Sequence, residues 1–137
     1  MDRKGSKLGG IMIEKANKII NSGFIKQNGF KVLELNEEKC VLEYTVKEDG
    51  LNPMNMVHGG LLFGLADTAA GILSSLNNKK QVTTSSNINY LNPLYKGKAY
   101  ATATIIKRGN SIGYFYVEIK DESNTLIATA NVNMYYK

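Results

Sequence analysis

One carboxylate, Asp67, stands in the middle of residues 52–76, a stretch that otherwise reads as a buried helix. Leu61, Leu62, Phe63, Leu65, Ala66, Ala69, Ala70, Ile72, Leu73 and Leu76 leave it almost no polar face, the pattern of a core helix. Burying an ionised carboxylate costs several kcal/mol, on the order-of-magnitude scale, unless partners satisfy it or it takes up a proton. Asp67 is therefore either a structural residue bonded to a neighbouring strand or loop amide, or a general base or nucleophile at a working site. Periodicity alone does not choose between them.

The sequence His58-Gly59-Gly60 opens the apolar run, after a loop that holds Asn52, Pro53 and Asn55. The first amides of a helix have no internal partner, and the aligned peptide dipoles add roughly half a positive charge at that end. Gly59 and Gly60 can thus serve as oxyanion donors that a ligand approaches closely, or simply shape a tight loop-to-helix turn. Gly59 and Asp67 lie eight residues apart, about 12 Å along an unbroken helix. A base and an oxyanion donor must each come within roughly 3 Å of the reacting group. One carbonyl cannot reach both in one chain, so a working site needs the amide of one subunit to meet the carboxylate of another, across a symmetric dimer with antiparallel central helices.

The run N-x-x-x-x-x-H-G-G-x-x-x-x-L-A-D-T-A, from Asn52 to Ala69, resembles the hotdog-fold acyl-CoA thioesterases, in particular their phenylacetate-degradation (PaaI-like) branch. The likeness continues through Val82-Thr83, Ile88-Asn89-Tyr90-Leu91-Asn92-Pro93, Lys107-Arg108-Gly109-Asn110 and Ile127-Ala128-Thr129-Ala130, and spans roughly residues 30–136. The resemblance implies that Asp67 is the catalytic carboxylate, activating water or attacking the thioester carbon. It implies Gly59 as the oxyanion donor, Asn52 as a residue placing the carbonyl or the water, and Thr83 as a hydroxyl near the nucleophile. It also implies that Asn and Gly come from one protomer, Asp and Thr from its neighbour. Asn55 stands where such proteins commonly have Gly; if the position needs positive φ, Asn is the next most tolerant residue.

The elements that must position these groups are an antiparallel sheet wrapped around one long central helix, an α+β hotdog fold in a single domain spanning the 137 residues. A short amphipathic helix is expected over residues 8–21, closed by Ser22-Gly23. Residues 30–35 and 39–46 read as a hairpin. After the central helix, residues 82–91, 98–108, 111–121 and 125–136 alternate β-branched or aromatic with polar residues, and Asn92-Pro93, Gly97, Gly109-Asn110 and Ser123-Asn124 mark the turns. Alternation places Thr83 and Ser85 on one face.

The charge of +5 suits the phosphates of coenzyme A as well as a solvated basic surface. Lys96, Lys98, Lys107 and Arg108 are candidates, with the amides of Gly109 and Asn110 as an anion nest. Dispersed lysines without a helix-turn-helix, zinc spacing or aromatic RNA signature argue against nucleic acid. The apolar run, broken by Asp67 and Ser74-Ser75, reads as too short and polar for a membrane span. Residues 1–10 lack a signal core, so a cytoplasmic protein is expected. The single histidine, His58, cannot hold zinc alone and reads as shaping the loop rather than shuttling protons. The single cysteine, Cys40, reads as an inert packing residue.

The expected activity is hydrolysis of an acyl-CoA thioester by a homo-oligomer, a dimer or a dimer of dimers. Asp67, Gly59, Asn52 and Thr83 carry the chemistry, while His58, Gly60, Lys107, Arg108, Gly109 and Asn110 sit around the substrate. No cofactor is expected beyond the CoA that forms part of the substrate. The alternatives are a hydratase or dehydratase on the same fold, or a noncatalytic acyl-CoA-binding module.

Overall fold

Six strands pair antiparallel throughout in the order β1-β2-β4-β5-β6-β3, and the central β4, β5 and β6 alternate buried apolar with outward residues. The strands are β1 (Lys31–Leu35), β2 (Lys39–Thr45), β3 (Gln81–Tyr90), β4 (Lys98–Arg108), β5 (Ile112–Asp121) and β6 (Leu126–Tyr136). The computed structural model describes residues 14–137. The helix expected over residues 8–21 is present as α1 over residues 14–20; its earlier part lies outside the described residues. As expected, α1 closes before Ser22. The extended backbone of that residue leads into a second short helix, α2 (Gly23–Gln27), whose Lys26 amide donates to the Ser22 carbonyl.

The central helix, α3 (Gly59–Ser74), crosses the concave face of the sheet. Its Leu61, Leu62, Leu65, Ile72 and Leu73 are buried with Leu42 and Tyr44 of β2, Phe115, Val117 and Ile119 of β5, and Val132 and Met134 of β6. Each such side chain stabilises the fold by roughly 1.5–3 kcal/mol. Beneath the helix the inward positions of β4 are Ala99, Ala101 and Ala103, all fully buried, so the backbone of α3 can come close to the sheet. By length and composition the segment Gly59–Asn77 would suffice to cross a membrane, against the sequence reading. In the fold it is the core helix, and its apolar side chains are spent against the sheet.

One flank of α3 is different. Gly60, Phe63, Gly64 and Asp67 face β3, which is the last strand of the sheet. Asp67 is consequently half-buried rather than enclosed on all sides. The helix is not apolar all round in the sense the sequence suggests, because the sheet stops at β3 and leaves this flank open.

Candidate active site

The amino end of α3 is set by a loop whose polar groups are nearly all committed. The Asn52 amide donates to the Met56 carbonyl at 2.7 Å, and the Asn52 carbonyl accepts from Asn55 at 2.9 Å. The side-chain Oδ1 of Asn52 accepts from the amides of Met54 (2.9 Å) and Met56 (3.1 Å). This tight turn drives Asn55 to φ +60°, the left-handed region that Asn enters at little cost. The position that departs from the usual Gly is thus filled by the residue best able to replace it. Val57 donates to Leu94 and His58 to Gly50, both at 2.8 Å, which ties the loop to the body of the fold.

His58 is the N-cap of α3, its Nδ1 accepting the Gly60 amide at 2.8 Å. Capping requires a lone pair on Nδ1, so the ring proton of neutral His58 sits on Nε2. The Gly60 amide is therefore occupied and does not serve as an oxyanion donor in this arrangement. The Gly59 amide, by contrast, has no hydrogen-bond partner among the described residues. Its carbonyl accepts the Oη of Tyr90 at 2.8 Å, and the Tyr90 ring lies so close that a Cβ on Gly59 would come 3.0 Å from it. Burial pushes the Tyr90 phenol above its ordinary pKa, which keeps it protonated and donating. A hollow of about 380 Å³ opens here, lined by Asn52, Met56, Gly59, Leu62, Tyr90 and Asn92.

A separate hollow of about 480 Å³ lies farther along the helix, between Gly60, Phe63, Gly64 and Asp67 on α3 and residues 83–86 of β3. There Thr83 Oγ1 donates to Asp67 Oδ1 at 2.7 Å within one chain. Thr83 also touches Met134 Sδ at 3.5 Å. The contact holds one carboxylate oxygen in place; Oδ2 takes no hydrogen bond among the described residues.

The register of β3 corrects the expectation that Thr83 and Ser85 share a face. Thr83 pairs with Met134 but Ser85 with Asn133, so a bulge at Thr84 intervenes. A bulge adds one unpaired residue and reverses the alternation beyond it. Thr83, Ser86, Ile88 and Tyr90 then lie opposite Met134, Val132, Ala130 and Ala128, all of which point inward. Ser85 instead accepts from Asn133 Nδ2 at 2.9 Å. The Oγ of Ser86 is buried without a partner among the described residues. Ser86 and Tyr90 are thus site-lining residues that the sequence reading missed. Only the position of the bulge would have revealed Ser86.

The basic turn between β4 and β5 lines neither hollow. Arg108 Nη2 donates to the Leu73 carbonyl at 3.0 Å and so secures the carboxyl end of α3. The Gly109 amide closes the turn on Ile112 (2.9 Å) rather than offering an anion nest. The carbonyl and Oδ1 of Asn110 accept from Lys79 Nζ at 2.9 and 3.2 Å. Lys107 is exposed on the last part of β4, and Lys98 pairs with Glu43 at 3.4 Å. Among the described residues no cluster of His, Cys, Asp or Glu could hold a metal ion.

Within one chain, then, the structure brings together Asp67 with Thr83 and, separately, Asn52 with Gly59. Known proteins share the framework. The thioesterase superfamily model matches residues 54–128. A putative esterase of Archaeoglobus fulgidus is 34% identical over 106 residues, covering 77% of this chain and 69% of that protein. The acyl-coenzyme A thioesterase PaaI of Escherichia coli is 29% identical over 109 residues, 79% of this chain and 78% of its own length. The solved structure of that organism's PaaI protein, from the phenylacetic acid degradation operon, superimposes with a TM-score of 0.89 at 26% identity, covering 95% of this chain and 96% of the other. A thioesterase from Haemophilus influenzae gives a TM-score of 0.85 at 25% identity, covering 90% and 89% of the two chains. With the family model spanning more than half of its length and these relatives sharing its fold, the chain belongs to the thioesterase superfamily and is a PaaI-like hotdog thioester hydrolase.

Proposed function

We propose that the protein hydrolyses acyl-CoA thioesters in composite sites, each made by two copies of the chain. The observation that carries this reading is the Thr83–Asp67 hydrogen bond of 2.7 Å, set apart from the unpartnered Gly59 amide in a different hollow. Each half has what the other lacks.

The free edge of β3 supplies the geometry for joining them. Strand β3 runs antiparallel to α3, its Thr83 end at Asp67 and its Tyr90 end at Gly59. Its ten residues pair only with β6 among the described residues, and its far edge is bare. Such an edge is a template for another strand. Two β3 strands paired antiparallel about a two-fold axis at Ser86 or Asn87, near the middle of the strand, bring the Tyr90 end of one chain to the Thr83 end of the other. Gly59 of one protomer then faces Asp67 of its partner, and symmetry makes two such sites.

In each site the Gly59 amide receives the thioester oxygen, with the dipole of α3 behind it. Asp67, with Oδ1 fixed by Thr83, takes a proton from a water that attacks the carbonyl carbon. The negative charge that develops on the carbonyl oxygen stays at the Gly59 amide. Collapse of the tetrahedral intermediate breaks the carbon–sulfur bond and releases the acid and the thiolate of CoA, a leaving group that needs no strong general acid. Asn52 Oδ1 is committed to the loop, so its contribution at the site comes from the Nδ2 amino group, which has no partner among the described residues.

The test is subunit complementation. Asp67→Asn and Asn52→Asp are each prepared, the second keeping the oxygen that holds the loop while removing the amino donor. Each variant alone should release little thiol from acyl-CoA. Equal parts refolded together yield heterodimers in half the population, each with one intact site, so about a quarter of the native rate should return. A mixture no more active than its components would refute the two-chain site. The thiol readout has no background from the protein: Cys40 is fully buried, and burial pushes its thiol up to about 12.

A further inference from the structure

Helix α2 buries none of its five residues, yet its Phe24 rests on the helix that carries Asp67. A Cβ built on Gly64 would lie 2.8 Å from Phe24 Cε1 and 2.9 Å from Cζ, so the ring occupies the space that any larger residue at this position would need. Gly64 lines the Asp67 hollow and stands three residues before Asp67, about 4.5 Å along the helix axis. The ring is held from behind by an edge contact with Phe30, centroids 6.0 Å apart at 83°, and Phe30 meets Tyr44 in the same manner at 5.8 Å and 87°. Despite these contacts Phe24 is 53% exposed. An apolar ring propped against a site-lining glycine, with half its surface in water, gains from being covered.

We infer that Phe24 determines which acyl groups the enzyme accepts, by closing the hollow over Gly64 as the stop that the end of the acyl chain meets. This rests on the hydrolytic reading above and adds a specificity residue to it. The chemistry of the surface selects the acyl part over the rest of the substrate. Phe63, Gly60 and Gly64 line the hollow beside Asp67, Phe24 rests on Gly64 at its margin, and none of them offers a cation for a phosphate. Phe24 is carried by a short helix, apart from the groups placed at the reacting carbonyl, so its replacement changes the reach of the hollow and not the position of Asp67.

The experiment measures thiol release from straight-chain acyl-CoAs of about two to twelve carbons by the native enzyme, Phe24→Ala, Phe24→Trp and Asp67→Asn. Removing the ring should leave KM for the acetyl thioester within about twofold of native. For acyl chains that pass the former stop, KM should fall about fourfold for each further methylene that gains cover. The larger indole should move the preferred length the other way, and Phe24→Trp also supplies the answer if Phe24→Ala does not fold. Length profiles of both variants that run parallel to the native one overturn the role of Phe24 while leaving hydrolysis intact. No thiol release by the native enzyme at any length would instead overturn the hydrolytic reading on which it rests, and undiminished turnover by Asp67→Asn would overturn the placing of the reaction in the Asp67 hollow.

Discussion

The two hollows on α3 are built by opposite means. At the amino end the group proposed to act is a backbone amide, and everything around it serves to hold a loop still: the side-chain oxygen of Asn52 accepts from two amides, His58 accepts from a third, and Tyr90 pins the carbonyl of Gly59. At mid-helix the group proposed to act is a side chain, fixed by one hydroxyl from an edge strand. The first hollow is over-determined within its own chain. The second is open on the flank where the sheet ends. Preorganised donors are worth most when they cost no rearrangement at the moment of reaction, whereas a base must exchange protons and meet water. The contrast in rigidity matches the contrast in task.

The comparison is broken most severely at the carboxylate. Asp67→Asn keeps shape and hydrogen-bonding capacity but cannot accept a proton from water; general-base contributions of about 10² to 10⁴ set the expected loss in kcat. Circular dichroism and gel filtration should be unchanged, because the residue is half-buried and its amide can still accept from Thr83. Retained activity would return Asp67 to a structural role. Next comes the amide end. Gly59→Ala puts a methyl 3.0–3.3 Å from the Tyr90 ring, which forces the ring or the helix end to move. Loss of a single oxyanion donor costs about 10² to 10³ in kcat, and partial displacement should fall toward the lower figure. If activity survives while a crystal structure shows the amide shifted, the donor lies elsewhere.

Thr83→Val tests whether the mid-helix hollow needs its one fixing contact. Hydrogen bonds to charged groups contribute about 1.5–3 kcal/mol, so a loss of about tenfold in kcat, with KM little changed, is expected if Thr83 orients the carboxylate. A tenfold rise in KM at constant kcat would assign it to substrate binding instead.

Much of this arrangement was legible in the residues, for reasons that differ by region. The inward positions of β4, β5 and β6 alternate so regularly that their strands and turns follow directly, and the apolar face of α3 has nowhere to go but the concave side of a sheet. The proposal of a two-chain site starts from helix rise, which separates Gly59 from Asp67 by about 12 Å. The bulge at Thr84 was hidden because residues 83–86 are all Thr or Ser. A run uniform in character carries no record of its register, so plain alternation puts Ser85 on the wrong face. The occupancy of the Gly60 amide depends on a side-chain rotation of His58, which spacing does not encode. The basic turn at residues 107–110 looked like a phosphate site because its charges were visible and its hydrogen-bond debts to Leu73, Ile112 and Lys79 were not. The fate of a polar group depends on what else needs it, and that is settled only by tertiary structure.

His58 gives the smallest expected effect and separates a cap from a catalyst. Removing an N-cap acceptor costs about 0.5–2 kcal/mol, so His58→Ala should lower Tm by a few degrees. His58→Asn, which restores a capping oxygen, should recover most of that loss. If the imidazole serves only to hold the first turn, kcat in His58→Asn stays within about threefold of native, and its pH profile keeps its shape. In His58→Ala the Gly60 amide is released beside that of Gly59, and a second donor at the oxyanion position would raise kcat even as stability falls. A large drop in kcat for His58→Asn at native Tm would show the ring acting on substrate, and the amino end of α3 would then hold a titrating side chain as well as an amide.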